Sequence, residues 1–135
     1  MNDERDHQLE LYLMHAQESL QSAELNMEHA FYGAAINRAY YAIFYATSAL
    51  LLAHGLVRGK HTGVIAAFRE YFVKPGLIEP EYSDIYGAVM DARMDSDYEM
   101  VFEADRDVAQ KAIFDARRFV ERIENYLAGG KRDES

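Results

Sequence analysis

From Leu9 onward, apolar residues recur at alternating steps of four and three: Leu9, Leu13, Ala16, Leu20, Ala23, Met27 and Ala30. That step draws one stripe along an α-helix, so the pattern predicts a first helix from about Asp3 to His29. The next stretch, about Phe31 to His54, has Arg38 as its only Lys, Arg, Asp or Glu. A helix that is apolar on nearly every side belongs at the centre of a fold. Gly55 is placed to close it, and a short third helix follows with Val64, Ile65, Phe68 and Phe72 on one face. Pro75 and Gly76 end that helix, and Pro80 suits the first turn of a fourth, whose inner face is Tyr82, Ile85, Tyr86, Val89 and Met90. The segment from Asp95 to Ala104 reads as a loop. Asp105 can cap a fifth helix, along which Ala109, Ala112, Ala116, Phe119, Ile123 and Leu127 form the last stripe.

With 135 residues there is apolar surface for one core, not two. Two prolines and eight glycines leave long stretches in which helices can run, against a turn-rich β architecture. The predicted fold is all-α, an antiparallel up-down bundle of four main helices plus one short extra helix. Its domain spans residues 1–128, and Gly129 and Gly130 release a flexible polar tail, residues 129–135. A central helix this apolar has more hydrophobic surface than short neighbours readily cover, which predicts a homodimer.

Charge narrows the partners. A formal net charge of -9 opposes general affinity for nucleic acid or anionic membrane, since both rest on an excess of Lys and Arg. The nineteen residues from Ala39 to Val57 carry no formal charge, yet they include Tyr40, Tyr41, Tyr45, Thr47, Ser48, His54 and Gly55, a poor composition for a membrane span. The first fifteen residues lack the apolar run of a secretory signal, and a cytoplasmic location is the expectation.

Candidate chemistry is sparse. The absence of cysteine removes zinc-thiolate sites and thiol catalysis. Paired Glu-x-x-His motifs would build a di-metal site in a bundle, but only Glu4 and His7 match, in a first turn prone to fray. Asp95, Asp97 and Glu99 imitate the start of a calcium loop, which then fails at Met100 and Arg106, where glycine and glutamate are required. No metal or other cofactor is expected. What remains is Arg38, with Asn37 before it and Tyr40, Tyr41 and Tyr45 after it. Helical steps put Arg38, Tyr41 and Tyr45 on roughly one face. An arginine cannot shed its charge on burial, so Arg38 must meet a carboxylate such as Asp91 or Asp97, line a wet cleft, or sit at a subunit interface.

Three segments carry a family resemblance: Asn37-Arg38-Ala39-Tyr40-Tyr41-Ala42-Ile43-Phe44; Lys60-His61-Thr62-Gly63-Val64 with Phe68 beyond; and Arg93-Met94-Asp95-Ser96-Asp97-Tyr98. Together they resemble the small stand-alone branch of the HEPN proteins, over nearly the whole chain. The resemblance implies the bundle described above, commonly as a homodimer. It also implies pairing with a small nucleotidyltransferase, often as the toxin half of a toxin and antitoxin operon. Many HEPN domains resemble metal-independent ribonucleases carrying Arg, four to six residues, then His. Such chemistry needs a base for the ribose 2′ proton and cationic donors for the charge growing on phosphoryl oxygens. Here the count from Arg38 across six residues reaches Tyr45, and a free tyrosine, titrating near about 10, is almost wholly protonated at neutral pH.

The sequence therefore points to a dimeric HEPN module that binds a nucleotidyltransferase partner or a nucleotide-like ligand, with no or weak catalysis. The expected binding residues are Asn37, Arg38, Tyr41, Tyr45 and Asp97, with Arg38 as anion contact. A ribonuclease toxin acting on RNA through Arg38 and a displaced base, His61 or His54, is the alternative, with Arg38, Tyr45 and His61 as catalytic candidates. A purely structural subunit is the third.

Overall fold

A computed structural model describes residues 3–98 and 105–129. It contains α1 (Asp3–Glu28), α2 (Tyr32–Ala53), α3 (His61–Phe68), α4 (Pro80–Tyr98) and α5 (Arg106–Leu127). The fold is an all-α up-down bundle in which α2 is central, packed against α1, α3, α4 and α5. Every α1 position of the predicted stripe from Leu9 to Met27 is at least partly buried, with Ala16, Leu20 and Ala23 in the core.

Ala30 departs from that stripe. The first helix ends at Glu28, and Ala30 is exposed at φ 60°. Two hydrogen bonds explain the stop: Ala30 N donates to Met27 O at 3.0 Å and Phe31 N donates to Asn26 O at 2.8 Å, the paired closure in which the residue past the helix turns left-handed. Glycine usually holds that place, so an alanine there hides the stop. At the far end of α2 the same closure has the expected residue: Gly55, φ 73°, donates to Leu52 O, and Leu56 N donates to Leu51 O.

The apolar mass of α2 is covered within one chain. Ala35, Ile36, Ala39, Tyr40, Ala42, Ile43, Ala46, Ala49 and Leu50 are wholly buried. The premise that a second copy must cover this helix therefore fails. Large apolar side chains lie open elsewhere instead, including Met14 at 49% and Leu25 at 57% exposure on α1.

The third helix continues past Phe68 as a wider turn, Arg69–Val73, closed by Lys74 N donating to Arg69 O. Phe68 and Phe72 both stay buried, their rings 6.5 Å apart. Asp105 caps α5 as its position predicts: its carboxylate accepts from Val108 N at 2.8 Å. Arg122 joins α5 to Glu79 at the entry to α4 at 2.7 Å, and Arg118 reaches Glu81 at 2.6 Å.

The expected loop from Asp95 is corrected in its first part, because α4 runs on to Tyr98. Arg93 and Asp97, one turn apart, pair at 3.2 Å, and Ser96 packs so closely on Gly33 of α2 that a Cβ there would stand 2.9 Å from its hydroxyl. These contacts support a helix that the polar run itself does not advertise. The rest of the expected loop, 99–104, and all but Gly129 of the expected tail lie outside the described residues.

Candidate functional site

Among the described residues, no carboxylate pairs with Arg38. Asn37 Oδ1 accepts from its Nε at 3.2 Å and from its NH2 at 2.8 Å, and the guanidinium lies 4.9 Å from the centre of the Tyr41 ring. Both partners are neutral, so among the described residues the positive charge has no ion-pair partner. The ion pair expected with Asp91 or Asp97 does not form: Asp97 is taken by Arg93. Among the described residues Arg38 pairs with no acid.

Arg93 was missed as a site residue. Its guanidinium lies 4.9 Å from the Tyr40 ring centre and 5.6 Å from that of Tyr41, so α2 and α4 each bring a cation to one aromatic pair. Its sequence signal was a single cation within a run of acids, on a segment taken for the approach to a loop. Arg38 also borders a concavity of about 470 Å³ among α1, α2 and α4, lined in part by Asn26, Asn37, Ser96 and Asp97. Asn37, Arg38, Tyr41 and Asp97 thus share one region.

His61, first residue of α3, joins the same cluster. Its ring centre is 4.5 Å from Phe44 and 5.7 Å from Tyr41, and its Nδ1 lies 3.0 Å from the Tyr40 hydroxyl. Burial, then the nearby Arg93 charge, lowers its pKa, so the neutral imidazole dominates at neutral pH. Burial pushes the Tyr40 hydroxyl up to about 12 despite the opposing pull of Arg93, so it keeps its proton.

Tyr45 sits one turn beyond Tyr41, ring centres 6.0 Å apart, and is also in contact with α1, where His15 lies 5.4 Å from it. His15 is a second residue the pattern missed, since it stands beside the α1 stripe and not in it. His54 is not part of the site. It follows Arg38 by sixteen residues, about 24 Å along the helix, and contacts Phe72 and Tyr126 instead. Asp95 and Asp97, which imitate a calcium loop, lie on helix α4. Among the described residues, no three acids or histidines gather as a metal site would need.

Two arginines, one of them without an ion-pair partner among the described residues, and a neutral imidazole surround Tyr41 on a five-helix bundle that is acidic as a whole. A model of the HEPN domain matches residues 9–126. The chain belongs to the HEPN domain family. It is similar to a UPF0332 protein of Thermotoga maritima, 36% identical over 96% of this chain and 98% of that one. It is similar also to a Methanocaldococcus jannaschii protein whose name reads "Putative toxin", 39% identical over 83% of each chain. The crystal structure of TT1696 from Thermus thermophilus superposes with a TM-score of 0.73 over 87% of this chain and 96% of that one; at 19% identity it is a likeness of fold. None of the described helices is long and apolar enough to cross a membrane.

Proposed function

We propose that this protein is a dimeric HEPN module of the toxin and antitoxin kind that binds an anionic partner or nucleotide-like ligand at Arg38, with no or weak catalysis. The observation that carries the reading is the pairing of Arg38 with the neutral Asn37 amide where a carboxylate would have cancelled its charge. A guanidinium held by its neighbour, on an aromatic ring and beside an open concavity, is preorganised for a phosphate or carboxylate. The toxin name of a relative supports the toxin and antitoxin reading, and the family resemblance suggests a small nucleotidyltransferase as partner. The net charge of -9 makes a phosphodiester chain a poor general ligand, while a single nucleotide meets only the local field.

The test is to express the protein with the product of its neighbouring reading frame, purify the two, and assay complex formation and RNA cleavage together. A stable complex without metal-independent cleavage supports the reading; no complex with any nucleotidyltransferase, or brisk cleavage, contradicts it.

The ribonuclease reading keeps one observation in its favour: His61 lies in the same cluster as Arg38 and Arg93, where a displaced base would have to be. Its signature is cleavage lost in Arg38→Ala and in a folded His61→Ala, but kept in Tyr45→Phe.

A further inference from the structure

The hydrogen bond between Tyr40 and His61 decides which nitrogen of the imidazole carries the proton. Tyr40 is fully buried, and His61 Nδ1, at 3.0 Å, is the hydrogen-bond partner of its hydroxyl among the described residues. If Tyr40 donates to Nδ1, its proton is satisfied and the ring proton sits on Nε2. If Nδ1 carried the proton and donated instead, the hydroxyl proton would lose the one acceptor it has among the described residues, the costly way to leave a buried donor. An imidazolium would strand it in the same way, since both its nitrogens donate.

The surroundings oppose an imidazolium as well. From α4, Arg93 faces the ring cluster with Asp97 on its Nε; from α2 come the protonated Tyr40 with Tyr41 and Phe44. Arg93 is the charge that acts on the ring, and it opposes a second one.

We propose that the Tyr40 hydroxyl fixes His61 as a neutral Nε2–H donor, and that His61, Arg38 and Arg93 form a three-helix site around Tyr41 for a phosphate monoester. Nε2 has no partner among the described residues, which leaves its N–H available to a ligand. Arg38, 4.9 Å from the Tyr41 ring centre, supplies the full charge, and Arg93, 5.6 Å from it, a charge partly offset by Asp97. The three donors come from α2, α3 and α4, so the site exists only when the bundle is closed. In this arrangement Tyr40 is a positioning residue, and His61 cannot act as a base through Nε2, because that nitrogen holds the proton. The proposal rests on Arg38 being an anion contact.

The experiment is long-range proton–nitrogen NMR on histidine-labelled full-length protein at neutral pH, followed by titration with adenosine 5′-monophosphate. The expected result is His61 in the Nε2–H form in the free protein, a shift of His61 Nε2 on adding nucleotide, and affinity reduced about tenfold in Arg38→Ala, Arg93→Ala and His61→Leu. His61→Gln, which keeps an N–H donor, should retain more affinity than His61→Leu. An Nδ1–H or imidazolium form in the wild type overturns the tautomer assignment without touching Arg38. The Nε2–H form with no nucleotide binding overturns the anion site and the Arg38 reading together. Tyr40→Phe, if folded, should release His61 into a mixture of tautomers; the wild-type spectrum decides the assignment if that variant does not fold.

Discussion

At the residue scale the argument turns on three side chains and their neighbours. Tyr45 stands where the ribonuclease motif has histidine, and its ring neighbours are Tyr41, Phe44 and His15. The wild type should therefore cleave RNA at background rate in metal-free buffer. Tyr45→His should raise the rate, through a base titrating near neutrality, only if the new ring reaches a ribose held by Arg38. His61 has a stability signature as well. Its folded pKa is lowered, by burial and then by Arg93, so below about 6.5 the unfolded chain takes up a proton that the folded one resists. The stability it contributes is present above that pH and is lost as pH falls through the folded pKa. Melting curves from pH 8 to 5 should fall less steeply for His61→Leu than for wild type; identical slopes would show that His61 titrates freely.

The prominence of Arg38 was legible in the sequence, because a lone charge in an apolar helix must be explained. Its partners were not. Whether Asp97 meets Arg38 or Arg93 depends on how far α4 extends, which the polar run after Arg93 conceals. His61 was legible as a motif residue, but its hydrogen bond to Tyr40 joins positions 21 residues apart and exists only once α3 folds over α2.

At the scale of elements, hydrophobic periodicity placed all five helices, and Asp105 and Gly55 placed two boundaries through their own chemistry. Errors fell where local chemistry was unusual: an alanine in a glycine's place at the end of α1, a wide turn after α3, and a polar helix end held by tertiary contact. Ala30 gives the cleanest check. At φ 60° an alanine carries strain that glycine lacks, so Ala30→Gly should stabilise the protein by about 0.5–1 kcal/mol after the greater freedom of the unfolded glycine is counted. That corresponds to a Tm rise of about 2–4 °C by calorimetry. A fall of similar size would mean that the turn after α1 is not left-handed in solution.

At the scale of the whole molecule, one chain covers its own central helix, so association must draw on other surfaces. Leu11, Met14 and Leu25 lie open along one face of α1, and the Arg38, Tyr41 and Tyr45 side of α2 is only partly covered. The proposed homodimer would use these surfaces, and light scattering at micromolar concentration should then give twice the 15.5 kDa chain mass. Met14→Glu with Leu25→Glu should shift the protein toward monomer if α1 forms the interface, while leaving its helical content unchanged.

The most direct test compares wild type and Arg38→Ala in two measurements, calorimetric affinity for the proposed nucleotidyltransferase partner and melting temperature. Arg38 makes no ion pair among the described residues and loses only its Asn37 and Tyr41 contacts on truncation, so Tm should fall by no more than about 2–4 °C. Affinity should fall about tenfold or more, because a charge-assisted contact to an anion is removed. A large loss of melting temperature with unchanged affinity would contradict the account and make Arg38 a strut of the bundle.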